Sequence, residues 1–165
     1  MSKQARQYWG LLSAIFFYYL IHEGAHLVYA LIKGVFKQIR FLGLGVQIDI
    51  HAHLLSPSQL GIFCLLGSVA TALFAYVLIA LSGRICRMSS RVCKACAYYI
   101  TIAMLLLDPL YLSLLCGFFG GGDMNGISLL IPELPARILY GILLLIHTLL
   151  FVKILLPRYK AAFQN

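Results

Sequence analysis

The stretch YYLIHEGAHLVYALI, residues 18–32, closes a long apolar run that begins near Tyr8, and it carries His22, Glu23 and His26. An ionised side chain at the centre of a bilayer costs about 2.5–3.5 kcal/mol even on the mildest scale. An apolar run with three titratable groups is therefore either no span at all or a span with chemistry in it. The rest of the chain decides for the span. Of 165 residues, 62% are hydrophobic and 11% charged, with a mean hydropathy of +0.92, which lies outside the range of a soluble globular domain. A bilayer crossing takes roughly 20 apolar residues, so this length accommodates about four spans. It leaves no room for a soluble domain beside them.

The expected fold is thus an all-α polytopic membrane protein, a single integral-membrane domain over 1–165, with spans near 8–32, 58–81, 95–115 and 135–156. Between the first two, KGVFKQIRFLGLGVQIDIHAHLLSPS (33–58) alternates polar and apolar residues around a Gly-Leu-Gly break. That pattern predicts a short β-hairpin. Lipid cannot satisfy an open strand edge, so the hairpin has to lie against protein, in water or at the interface. Gly67, Ser68, Ala70 and Ala72 in the second span suit close helix packing. CGFFGGGDMNG (116–126) is a glycine-rich break before the last span. At the N-terminus, Lys3 and Arg6 ahead of an apolar run resemble a signal peptide, but the run continues to Ile32 through the titratable residues, as a retained span does.

The net charge of +8 does not point to nucleic acid, because the thirteen Lys and Arg residues flank the apolar runs. That placement sets orientation and meets anionic head groups, making the lipid bilayer the expected partner. Nine cations fall on the side of the termini and the second loop (Lys3, Arg6, Arg84, Arg87, Arg91, Lys94, Lys153, Arg158, Lys160), against Lys33, Lys37, Arg40 and Arg137 on the other. The count puts both termini in the cytoplasm. The five cysteines imply no disulfide framework; Cys93 and Cys96 have a metal-pair spacing but lack a second pair, so free thiols are expected.

His22 and His26, four residues apart, share one helix face and can reach one metal ion. Glu23 between them can act as general base toward a water at an open coordination position, an arrangement that suits zinc. A shuffled chain of this composition would contain the pattern roughly 0.002 times. A catalytic zinc needs a third protein ligand. The candidates are Asp123 in the glycine-rich break, Asp108 in LLLDPLY, His51 and His53 on the hairpin, and His147 in the last span. Spacing alone leaves them open.

HEGAH in an early span, a basic hairpin after it and a late aspartate in a glycine-rich break resemble the site-2 protease family, in a minimal and divergent form. The resemblance implies an intramembrane zinc metalloprotease acting on transmembrane or membrane-associated proteins, in the cell membrane of a prokaryote. It implies Zn2+ held by His22, His26 and Asp123, with Glu23 as general base. Asp108 and Asn125 become the supporting or substrate-binding residues, Asp108 standing where the family has an asparagine that holds substrate or hairpin backbone. Gly24 also sits one place earlier than the family glycine. The family site opens to the cytosol on the hairpin side, opposite to the charge count. Two other classes fit the same residues: an inactive homologue with a structural metal, which binds helices or partner proteins, and a metal or proton transporter. The sequence gives no oligomeric state.

Overall fold

A computed structural model describes residues 2–43 and 45–164. The helix α1 (Lys3–Ile32) is followed by the strands β1 (Phe36–Leu42) and β2 (Gly45–Ile50), then by α2 (Pro57–Arg87) and α3 (Arg91–Leu110). A short α4 (Asp123–Ile127) precedes α5 (Glu133–Leu150) and α6 (Leu156–Gln164). Among the described residues, four helical segments are long and apolar enough to cross a membrane: Lys3–Ile32, Pro57–Arg87, Arg91–Phe118 and Glu133–Gln164. Each runs past the expected bounds, because hydropathy fades at the cationic ends while the helix does not.

The starts are set by side-chain caps. Ser2 accepts from Ala5 N at 3.1 Å, and Ser90 accepts from Cys93 N at 3.3 Å. Ser56 and Gln59 form a reciprocal capping box with Pro57 in the first turn, which satisfies two of the otherwise orphaned amides. Gly34, at φ +66°, turns the chain out of α1 into the hairpin. The strands pair antiparallel from Phe36↔Ile50 to Leu42↔Gly45, with a bulge between Phe36 and Gln38. On the hairpin, Asp49 accepts from the Gln38 amide at 2.9 Å and pairs with Arg40 at 2.6 Å. Together they hold its carboxyl below the usual range, with Lys37 adding to the field.

Pro109 lies inside α3 and does not end it; the helix runs on through a π-turn at Tyr111–Leu115. Proline has no N–H to offer the carbonyl four residues back. That carbonyl, Leu105 O, instead accepts from His147 Nδ1 at 2.7 Å. The wider π-turn leaves Ser113 O to Arg137 Nε, at 3.1 Å. Arg137 and His147 of the last span thus complete the backbone bonding of the third.

Two apolar cores lie along the bundle. One, on the hairpin side, gathers Ala30, Val35, Ile48, Phe63, Leu112 and Met124. The other, toward the termini, gathers Ala14, Ala75, Ile100, Met104, Leu105 and Tyr159. On α1, α2 and α3 alike, the buried polar residues His22, His26, Ser68, Thr71 and Asp108 fall between these two sets in sequence. A polar layer therefore divides the core. At 1.5 Å per residue it sits roughly 15 Å in from the hairpin ends of α1 and α2.

Candidate metal centre

Tyr18, His22 and His26 are spaced by one helical turn and face inward from α1. His26 Nδ1 donates to Phe63 O of α2 at 2.8 Å, which fixes the tautomer and leaves Nε2 as a lone pair. His22 Nδ1 lies 3.2 Å from Asp108 Oδ1 and is buried without another acceptor, though the approach is bent away from a well-formed hydrogen bond. Asp108, 3% exposed, also accepts from Tyr18 Oη and from Thr71 Oγ1, each at 2.5 Å. Two hydroxyls and an imidazole therefore surround one buried carboxylate on the Nδ1 side of His22.

Asp123 reaches the other side. Its Oδ2 lies 3.1 Å from His22 Nε2 and 3.5 Å from His26 Nε2. One ligand atom from each of His22, His26 and Asp123 falls within 4.8 Å of the others. His26 thus turns an Nε2 lone pair toward Asp123, and His22 Nε2 lies within hydrogen-bond reach of the same carboxylate oxygen, so a proton on His22 or a cation shared by the three atoms would hold them together. A Cβ at Gly67 would come within 2.6 Å of His22 Nε2 and 2.7 Å of His26 Nε2, so the two rings lean against bare α2 backbone. The donor set and its second partners fit a small divalent cation.

What brings Asp123 here is the break before it. Gly120, Gly121 and Gly122 have φ of +80°, +85° and +48°, three successive conformations that residues with a Cβ rarely adopt. Asn125 Nδ2 donates to Gly120 O at 3.0 Å and closes this turn. Asn125 is exposed and holds the loop that carries Asp123. Asp108 bonds neither hairpin nor open groove; it lies behind His22.

Glu23 points elsewhere. Its Oε2 accepts the backbone N–H of Ile48 on β2 at 3.0 Å. It also lines a cavity of about 450 Å³ between α1 and the hairpin, whose walls include Leu20, Leu27, Ile39, Val46 and Ile48. The motif's carboxylate thus borders an apolar groove while its imidazoles turn into the core.

The other candidates lie apart. His51, which flanks the 3-10 turn Ala52–Leu54 before α2, and His53, within that turn, are both exposed. His147 is buried between Leu105 O and the Tyr76 hydroxyl, 2.7 Å from each. All five cysteines are free. Sequence reasoning missed Tyr18 and Thr71, and it marked Gly67 for close helix packing without placing the two imidazoles against it. Tyr18 could have been found, since it stands four residues before His22; nothing in the composition of α2 marks Thr71.

Searches against protein families, curated proteins and solved structures find no match to this chain.

Proposed function

We propose that the chain is an integral-membrane zinc metalloprotease of the site-2 protease type. The observation that carries this reading is the convergence of His22 Nε2, His26 Nε2 and Asp123 Oδ2 beside a glutamate that opens to a groove. The membrane part rests on exposed apolar faces. Leu134, Leu145 and Leu149 of α5 are 69%, 66% and 60% exposed, and Phe16 of α1 is 63% exposed. Contiguous faces of that size call for lipid, not water.

His22, His26 and Asp123 would hold the zinc. When bound, zinc supplies Lewis acidity toward a scissile carbonyl and a nucleophilic water near neutral pH. Glu23, whose Oε2 now holds the Ile48 N–H at 3.0 Å, would turn from the hairpin to take the proton of the attacking water and return it to the departing amine. Asp108 holds the His22 ring in register from behind. The apolar groove walls favour apolar side chains; a substrate helix, whose carbonyls are tied up in its own hydrogen bonds, would have to unwind to present one for cleavage.

Glu23→Gln tests the mechanism. The glutamine carbonyl still accepts the Ile48 N–H, so the hairpin stays docked and zinc stays bound. Cleavage of a membrane substrate should fall by about 10²–10⁴-fold. A variant that cleaves like wild type would remove Glu23 from the chemistry. The bond from Ile48 supports a second reading, in which the metal is structural and Glu23 simply anchors the hairpin. In that case the wild type itself cleaves nothing, and Glu23→Ala loosens the hairpin without any loss of activity to record.

A further inference from the structure

The end of the bundle opposite the hairpin gathers sulfur. Met88 follows α2, and after two serines α3 opens with Arg91 and carries Cys93 and Cys96 in its first two turns. The Ser90 hydroxyl caps that helix by accepting from Cys93 N at 3.3 Å. Met88, Cys93 and Cys96 all line one groove of about 350 Å³ between α1, α2 and α3, whose apolar walls include Phe17 and Phe74. Met88 is 44% exposed, whereas Met104 and Met124 are core residues at 1%. Cys93 is exposed and Cys96 half-buried. Two thiols and a thioether, the soft donors of a protein, therefore share one open cleft. Cys86 does not join them: its Sγ contacts Arg158 O at 3.9 Å, and it lines a different cleft with Arg87 and Arg158.

Helical spacing decides what the two thiols can do together. Residues three apart on a helix have Cβ atoms about 5–6 Å apart. A disulfide needs roughly 3.5–4.5 Å, so the regular helix disfavours one here. A bridging ion, with metal–sulfur bonds of about 2.3 Å, spans the wider gap. The Cys96 thiol gives up little to bind it, since its one bond, to Trp9 O at 3.7 Å, is weak.

The choice of ion follows from the donors at hand. Among the described residues, no His, Asp or Glu lines the groove. The carboxylate on the same helix, Asp108, stands 12 positions past Cys96, roughly 18 Å along α3. Zinc would need further thiolates or imidazoles, whereas monovalent copper is satisfied by thiolate and thioether sulfur alone. Binding Cu(I) releases both thiol protons to solvent and leaves a dithiolate complex of net charge −1. The start of α3 suits that charge, because the helix dipole is positive there and Arg91 and Lys94 lie in the same turns. Lys94 stays bonded to Ala162 O at 2.7 Å and contributes through its field.

We infer that Met88, Cys93 and Cys96 form a site for a single soft monovalent cation, Cu(I), apart from the His22 centre. The site rests on neither the zinc nor the protease reading.

The test is anaerobic competition for Cu(I) between the full chain in detergent and bicinchoninate, a chromophoric Cu(I) chelator, with ascorbate as reductant. Wild type should withdraw one equivalent. Cys93→Ser and Cys96→Ser should each lose it, and Met88→Leu should keep it but yield it at a lower chelator concentration. Cys86→Ser leaves the groove whole and should match wild type. Thermal melts check that the variants fold. They also give a second readout: Cu(I) should raise the Tm of wild type and not that of Cys93→Ser. X-ray absorption at the copper edge should show sulfur scatterers alone. Failure of wild type to withdraw copper, equal loss in Cys86→Ser, wild-type behaviour of Met88→Leu, or imidazole scattering from the bound copper overturns the three-sulfur site.

Discussion

Asp108→Asn separates a ligand from the residue behind it. Asparagine keeps the volume of the side chain but removes the charge and turns one acceptor into a donor. Around Asp108 stand Tyr18 Oη and Thr71 Oγ1 at 2.5 Å and His22 Nδ1 at 3.2 Å. An amide oxygen can serve one hydroxyl and the imidazole; its NH2 then faces the other hydroxyl, which can rotate to accept. The fold should survive with a loss of about 1–3 kcal/mol, the cost of one mismatched buried polar group. Metal binding should weaken by about 10–100-fold, the usual consequence of removing the outer partner of a ligating histidine. That is roughly 1.4–2.8 kcal/mol at 1.4 kcal/mol per tenfold. The assay is zinc competition against a chromophoric chelator in detergent, run beside His26→Ala and Asp123→Asn, with thermal melts of the metal-free proteins as a control. Complete loss of zinc in Asp108→Asn, equal to that in His26→Ala, would make Asp108 a ligand and refute the placement of Asp123. Unchanged affinity would show that the carboxylate behind His22 does nothing for the metal.

Gly67→Ala puts a methyl within 2.7 Å of both Nε2 atoms; zinc affinity should fall at least tenfold while the melting temperature moves little, read by the same competition, and wild-type affinity would mean the rings need not lean on α2. His147→Phe leaves Leu105 O without a donor and should cost about 1–3 kcal/mol of stability in a thermal or denaturant melt. Adding Pro109→Ala restores an N–H to that carbonyl and should recover part of the loss; no recovery would break the link drawn between the two residues. For Asp49, Gln38 and Arg40 depress the folded carboxyl pKa, so their stabilisation is present above the unfolded value, near 3.8, and fades as the pH drops through the lower folded one. A hairpin pair of this kind is worth at most about 1 kcal/mol. The melting gap between wild type and Asp49→Asn should therefore be small at pH 7 and shrink as the pH falls below the unfolded value; a gap that widens in acid would reverse the assignment.

How far the sequence reaches can be judged at His22, which has a carboxylate on each side. The helix period made His22, Glu23 and His26 legible as a set, and strict alternation made the hairpin legible, because both are local rules. Spacing alone could not rank Asp108 and Asp123, because their difference is not local; it was the family resemblance that put Asp123 on the metal. Both are aspartates in late, apolar surroundings. Asp123 reaches the Nε2 side only because three consecutive glycines with positive φ swing the chain back under α1. Asp108 reaches the Nδ1 side because α3 runs straight through Pro109, and that depends on His147, 42 residues away by number, taking the carbonyl that proline frees. The environments then divide the roles. Asp108 has a side chain 4% exposed and engaged from three directions, whereas that of Asp123 is 24% exposed and faces both imidazoles. Asp108 lies on the Nδ1 side of His22 and holds two hydroxyls, so it is placed to orient that ring. Asp123 is the carboxylate that faces both Nε2 atoms, so in the proposed site the division of labour between two identical side chains follows from where each reaches the imidazoles.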